Sequence, residues 1–267
     1  MENSGIWTSY EKENLLQNWK REGGLSGSTL KVLACIFMLL DHISQSHTLY
    51  ALGGIGYVGF QQFWAMEMGA QLGAIMTLLG RIAFPIYCFF IVQGTLLTKD
   101  NKKMILRLFL FGLISEIPFD YGLFGTLNWN HQNVFFTLAL GSLMIFLIEW
   151  VREHQTGMKE IIFQGFIFLG TATLAVVAQV DYGANGIIAM LLFYLVNSDR
   201  IRTMAMGIFG FLFEAPMYGV VYLSLPLLYF YNGKRGNLPK YFFYAFYPGH
   251  LLFIYFLRVY IIPMWIG

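Results

Sequence analysis

Long apolar runs separated by short polar loops fill the chain from residue 30 onward. Most of these runs approach the roughly 20 apolar residues that a helix needs to cross a bilayer. The pattern predicts an all-α fold: a polytopic transmembrane helical bundle of about nine spans. The predicted spans cover residues 30–46, 76–97, 103–119, 133–151, 160–179, 186–197, 203–215, 217–231 and 241–262.

The composition supports a membrane protein. Hydrophobic residues make up 57% of the chain and charged residues only 12%, against about 25% charged in soluble domains. The lipid bilayer of a cell membrane is therefore the first expected partner of this multi-pass chain. The net charge of +2 does not suggest nucleic acid, because the basic residues lie at helix ends rather than in one patch.

Charge alternates along the loops, and this alternation predicts the orientation. The loops at 47–75, 120–132, 180–185 and 214–217 contain no lysine or arginine, whereas the intervening loops are basic. Under the positive-inside rule the N-terminus is cytoplasmic. Residues 1–29 then form a polar cytoplasmic arm, and Trp7, Tyr10, Leu15, Leu16 and Trp19 would suit one side of a short interfacial helix.

Residues 30–267 form a single transmembrane domain in this interpretation. The glycine-rich stretch 50–73 is too polar for a full span. It is predicted to be an external or re-entrant segment.

Ionisable residues inside the apolar runs are the candidate chemistry. Asp41 and His42 end the run "LKVLACIFMLLDHI", and Arg81 and Glu116 fall at a similar depth in the outer half of the membrane. Each could be a buried tie between helices, but several such groups at one depth favour a functional cavity. A histidine there suits proton transfer. A metal site is not predicted, because His42 and His47 do not share a helix face.

The cytoplasmic ends of the spans carry a second, basic cluster. Topology and anionic lipid explain most of it. Arg107, inside its helix, and the loop "YNGKRG" with Lys234 and Arg235 also suit phosphate binding. In the last span, Tyr247 and His250 place polar groups near the middle of the bilayer.

Six stretches resemble the TraX family, membrane proteins named for the conjugation-associated acetylation of F-pilin. In chain order they read "LKVLACIFMLLDHI", "GRIAFPIYCFFIVQGTLLT", "RLFLFGLISEIPFD", "NVFFTLALG", "YNGKRG" and "FYAFYPGHLLFIYFLR". The resemblance implies acetyl transfer from acetyl-CoA, as co-substrate, to an amine on a peptide or small molecule. In the F-pilin case the acceptor is the amino terminus of a processed membrane peptide.

These residues give a mechanistic expectation. Acetyl-CoA would place its phosphates at the inner mouth, and its pantetheine arm, roughly 15–20 Å long when extended, would lead the thioester to His42. His42 would act as the base, Asp41 or Glu116 would orient its imidazole, and Arg81 would stabilise the oxyanion. The expected donor-binding residues are Lys31, Arg107, Lys234, Arg235, Tyr247 and His250.

Two other readings of the same residues stay open at this point. An acetyl-histidine intermediate is as compatible with the pattern as direct transfer. A proton-coupled transporter or a lipid-handling protein would also use buried Asp, His and Glu on kinked helices.

Overall fold

The computed structural model describes residues 9–46, 68–214, 219–261 and 264. These residues form an all-α bundle whose structure contains two isolated β-bridges and, within the described ranges, no β-strand. The helices are α1 (Ser9–Trp19), α2 (Gly27–Gln45), α3 (Met68–Gly80), α4 (Ala83–Leu97), α5 (Asn101–Phe119), α6 (Val134–His154), α7 (Met158–Val177), α8 (Gly183–Val196), α9 (Arg200–Gly210), α10 (Ser224–Tyr229) and α11 (Lys240–Phe256).

Among the residues that the structure describes, five helical segments are long and apolar enough to cross a membrane. They are Gly27–Gln45, Met68–Leu97, Val134–His154, Met158–Val177 and Lys240–Ile261. The chain is therefore a multi-pass membrane protein, but the predicted count of nine is not confirmed. The 11 residues of α9 rise only about 16 Å, roughly half of the hydrocarbon core of a bilayer.

Helix starts follow local sequence signals. Ser26, Asp100, Asn133 and Asp199 each precede a helix, and the side chain of each accepts a hydrogen bond from a backbone amide in the first turn. These caps satisfy amides that would otherwise have no partner at the helix end. The caps therefore set where α2, α5, α6 and α9 begin.

Helix α4 lies at the centre of the bundle and packs against α2, α6 and α8. Most of its aliphatic and aromatic side chains are buried, and Tyr87, Phe90, Ile91 and Leu97 are half-buried. Helix α7 is the opposite case, because only Thr171 and Ala175 are buried in it. In a membrane protein such an exposed apolar helix faces lipid.

Within the N-terminal arm, Ser9–Trp19 form helix α1, but this helix does not simply present one apolar side to lipid. Leu15 and Trp19 are buried in the same core as the bundle. The indole Nε1 of Trp19 donates a 2.6 Å hydrogen bond to the carbonyl of Asn197, and Arg200 lies over the indole ring. Trp7 and the side chain of Tyr10 lie outside the described residues.

The predicted external segment 50–73 needs a partial correction. Its last residues, from Met68 to Gly73, begin α3, and the Ser44 hydroxyl donates a 2.7 Å hydrogen bond to the Gly73 carbonyl. A Cβ at Gly73 would lie 3.4 Å from Ser44 Oγ, so α3 packs directly on α2 at this position. The rest of that segment lies outside the described residues.

Candidate functional site

A polar cavity of about 370 Å³ lies near the predicted outer ends of α2 and α4. Asp41, His42 and Arg81, three of the four predicted catalytic residues, line it together. Asp181, from the loop before α8, lines it as well. We call it the outer cavity. Its aromatic lining consists of Phe84, Tyr87, Phe119, Phe124, Tyr182 and Tyr247.

The imidazole of His42 is held by another histidine. His42 Nδ1 lies 2.7 Å from Nε2 of His250, and His250 Nδ1 lies 2.8 Å from the Phe246 carbonyl oxygen. Both histidines are buried, and their rings are nearly parallel. Within the described ranges no cluster of three or more His, Cys, Asp or Glu side chains could hold a metal ion.

The Phe246 carbonyl determines which ring nitrogens of His250 and His42 carry a hydrogen. A carbonyl oxygen only accepts, so His250 Nδ1 carries a hydrogen and the Nε2 of a neutral His250 is an acceptor. His42 Nδ1 must then donate to it. The Nε2 of a neutral His42 is left with a free lone pair, which is the form that a general base requires.

Asp41 and Arg81 form the ion pair that the sequence suggested. Arg81 Nη2 lies 3.5 Å from Asp41 Oδ1, and Arg81 Nη1 lies 3.6 Å from Glu214 Oε1. Gln45 donates a 2.8 Å hydrogen bond to the other oxygen of Asp41. Arg81 follows Gly80 at the break between α3 and α4. A Cβ at Gly80 would fall 2.2 Å from the Cβ of Asp41, so glycine permits this approach.

Glu116 is in a different place from the one expected. Asn133 donates its side-chain amide to Glu116 Oε2 and also to the Gly112 carbonyl at 2.8 Å. Glu116 therefore ties α5 to the start of α6, and it does not line the outer cavity. The expectation that Asp41 or Glu116 orients His42 is wrong, because His250 occupies that position.

A second cavity, of about 240 Å³, lies on the predicted cytoplasmic side and is called here the inner cavity. Lys31, Arg107 and Lys240 line it, among mainly apolar and aromatic side chains. The inner and outer cavities adjoin, because four residues line both of them. The shared residues are Met38, Tyr87, Val134 and Tyr247.

Tyr247 lies at this shared boundary. It is only 3% exposed, and its hydroxyl lies near the Val134 amide without a hydrogen bond of normal geometry to any described residue. A buried hydroxyl in that state is an available donor. Its ring makes an edge contact with His42.

The basic loop is placed differently from the prediction. Lys234 and Arg235 have exposed side chains that do not line the inner cavity. Their carbonyls instead accept 2.8 Å hydrogen bonds from the amides of Gly27 and Ser28 at the start of α2. Lys240, which is not among the expected donor-binding residues, does line the inner cavity.

His131 and Asp181 form an ion pair on the predicted outer side. His131 lies in the loop before α6, and its Nε2 is 3.6 Å from Asp181 Oδ1. The hydrogen bond to Asp181 is the main cause that raises the pKa of His131, and it prevails over partial burial. This pair therefore carries both charges over a wider pH range than a free histidine would allow.

Comparison with known proteins identifies the kind of chain. The family model described as "TraX protein" matches residues 26–258. A relative from Dichelobacter nodosus, named "Probable fimbrial assembly protein FimC, serogroup H1", is 29% identical over 254 residues, which cover 85% of this chain and 93% of that protein. No solved structure is significantly similar to this chain.

Proposed function

This chain belongs to the TraX family, and we propose that it is a membrane-integral acetyltransferase. It would move an acetyl group from cytosolic acetyl-CoA to an amine, such as the amino terminus of a pilin. The observation that carries the proposal is the free Nε2 of His42 in a cavity that adjoins a basic inner cavity. The name of the fimbrial assembly relative supports an acceptor of the pilin type.

The inner cavity suits the donor. Lys31, Arg107 and Lys240 can attract phosphate groups, and the apolar walls can accept the pantetheine arm. Along α2, His42 lies about 16 Å above Lys31 at 1.5 Å per residue. An extended pantetheine arm reaches roughly 15–20 Å, so a thioester entering from the cytoplasm would arrive beside His42.

The chemistry is a direct acyl transfer with general-base catalysis. The amine nitrogen attacks the thioester carbonyl carbon, and Nε2 of His42 takes the proton that the nitrogen loses. The C–S bond then breaks, and the proton passes from His42 to the departing CoA thiolate. Arg81 Nε and the Tyr247 hydroxyl, which are buried without normal hydrogen-bond partners among the described residues, are the donors proposed for the oxyanion.

The first test is acetyl transfer by the purified protein in lipid nanodiscs. With acetyl-CoA and an acceptor amine, the wild type should release CoA that a thiol reagent detects. His42→Ala should lower kcat by about 10²–10⁴, the usual contribution of a general base. His154→Ala, at an exposed histidine of α6, is the matched control and should remain active. Full activity of His42→Ala would remove His42 as the base.

The second test concerns the donor site. Arg107→Ala should raise the KM for acetyl-CoA about tenfold, which corresponds to roughly 1.4 kcal/mol of lost binding. Lys234→Ala removes the same charge from a side chain outside the inner cavity, and should leave that KM almost unchanged. A larger rise in this KM for Lys234→Ala than for Arg107→Ala would indicate that the donor phosphates bind at the basic loop instead.

A further inference from the structure

The outer cavity is continuous with a second opening at the predicted outer surface. This opening has a volume of about 470 Å³, and Asn185, Phe213 and Glu214 help to line it. It shares Arg81, Asp181 and Tyr182 with the outer cavity. We call the two together the outer vestibule. An acceptor that entered through this opening would pass Asp181 and Arg81 on its way to His42.

Negative charge dominates the outer vestibule. Asp41, Asp181 and Glu214 contribute three carboxylates to the lining described. The cationic groups in that lining are the guanidinium of Arg81 and the titratable imidazole of His131. Arg81 is already within ion-pair distance of both Asp41 and Glu214. The carboxylate of Asp181 has only the titratable His131 as an ion-pair partner among the described residues.

A second observation shows that this is more than a group of acidic side chains. Glu214 is 7% exposed, and one of its two carboxylate oxygens, Oε2, has no hydrogen-bond partner among the described residues. An unsatisfied buried carboxylate oxygen costs free energy unless a donor completes it. The vestibule lining thus contains one buried carboxylate with an unpaired oxygen, on Glu214, and one partly exposed carboxylate, on Asp181.

We propose that the outer vestibule binds the acceptor as a primary ammonium ion, with Asp181 as its main partner and Glu214 Oε2 as the second. This inference rests on the proposed acetyl transfer and names the substrate class of the same site. An ammonium group brings three donors and one positive charge. An anionic group next to the amine would be repelled by the same carboxylates. Free amino acids should therefore be poor acceptors.

Binding as an ammonium requires two deprotonations before the product forms. The first proton of R–NH₃⁺ passes to the Asp181 carboxylate and from there to external water, which leaves a neutral amine. The amine lone pair then forms the C–N bond, and the second proton passes to His42. The products are the N-acetyl amide, free CoA and one proton, so atoms and charge balance.

Binding can be tested without catalysis. Titration calorimetry on the full chain in nanodiscs should show that hexylammonium binds and that hexanol, with the same apolar tail, does not. Asp181→Asn should weaken hexylammonium binding about tenfold, or roughly 1.4 kcal/mol. Glu153→Gln makes the same chemical change at an exposed position on the cytoplasmic end of α6 and should bind as the wild type does.

Kinetics then separate this inference from the proposed function. In the Asp181→Asn variant the KM for the amine should rise about tenfold, with the KM for acetyl-CoA unchanged. If ammonium binding depends on Asp181 but the protein never releases CoA, the proposed acetyltransferase function is wrong and the ammonium-binding site is still supported. Equal binding of hexylammonium and hexanol by the wild type, or an unchanged amine KM in an active Asp181→Asn protein, would overturn the subsite.

The ammonium could come from a peptide or from a lipid. An apolar tripeptide amide with a free amino terminus and lysophosphatidylethanolamine present the same group on different carriers. Acetylation of the tripeptide, with none of its amino-capped form, would identify a peptide amino terminus. Acetylation of the lipid alone would assign the vestibule to an aminolipid.

Discussion

Removing His250 is the sharpest perturbation of the candidate site. His250 Nε2 is the acceptor that holds the hydrogen of His42 on Nδ1. Without it, the Nδ1–H of His42 is buried with no acceptor, and the tautomer that carries hydrogen on Nε2 becomes competitive. In that tautomer the nitrogen that should accept the proton of the amine is already protonated. His250 is therefore a positioning residue that acts through His42.

The size of the effect follows from this one hydrogen bond. An unsatisfied buried donor costs about 1–3 kcal/mol. Since each 1.36 kcal/mol changes a rate tenfold, His250→Ala should lower kcat roughly 5- to 150-fold. The KM for acetyl-CoA should stay close to the wild-type value, because His250 lines neither the inner nor the outer cavity.

A conservative variant provides the control. The amide oxygen of His250→Gln can accept from His42 while its amide nitrogen donates to the Phe246 carbonyl, so this variant should recover part of the lost kcat. The assay is steady-state CoA release over a range of pH, with thermal unfolding of each variant measured alongside. Wild-type kcat in His250→Ala, or a loss equal to that of His42→Ala with no recovery in His250→Gln, would contradict the positioning role.

Two further predictions follow from packing and charge. Gly80→Ala should lower the free energy of unfolding by about 1–3 kcal/mol in a reversible detergent titration, because its Cβ would overlap Asp41. Gly165→Ala meets nothing within 4 Å, so the same titration should show a change of no more than about 0.5–1 kcal/mol. His131→Gln should lower the melting temperature most at acidic pH. Folding raises the pKa of His131, so its ion pair with Asp181 stabilises the folded state fully below the pKa of a free histidine. That stabilisation is lost as pH rises through the pKa of His131 in the folded protein. A melting difference that grows with pH would refute that assignment, in which Glu116 and Asp120 also act on His131.

The grouping of Asp41, His42 and Arg81 could be predicted from the sequence, but the direction of each side chain around its helix could not. Apolar runs and basic loops predicted a similar depth for Asp41, His42, Arg81 and Glu116. Three of them line one cavity, whereas Glu116 turns toward Asn133. The direction of Glu116 depends on the rotation of α5 about its own axis. A run that is apolar on every side does not encode this rotation.

Contacts between distant positions were the other missing information. His42 and His250 are 208 residues apart, and nothing in the chain between them predicts that α2 and α11 adjoin. The prediction that the side chains of the basic loop line the inner cavity failed for a similar reason. Gly233 and Gly236 have positive φ, which lets the loop fold back on α2 and commits the carbonyls of Lys234 and Arg235 to the helix start. The side chains of Lys234 and Arg235 therefore do not line the inner cavity, whereas that of Lys240 does.

In the proposed mechanism, the arrangement of the two cavities limits what crosses the membrane. The donor would bind in the inner cavity and the acceptor ammonium in the outer vestibule, and the boundary between them is lined by Met38, Tyr87, Val134 and Tyr247. The Tyr87 hydroxyl is tied to the Cys35 thiol at 3.0 Å, so this boundary is held by contacts outside either cavity. With His42 beside the boundary, only the thioester end of the donor has to pass it. An acetyl group could then change sides while CoA and the acceptor each stay on their own, which is what distinguishes a transferase from a carrier built on the same buried charges.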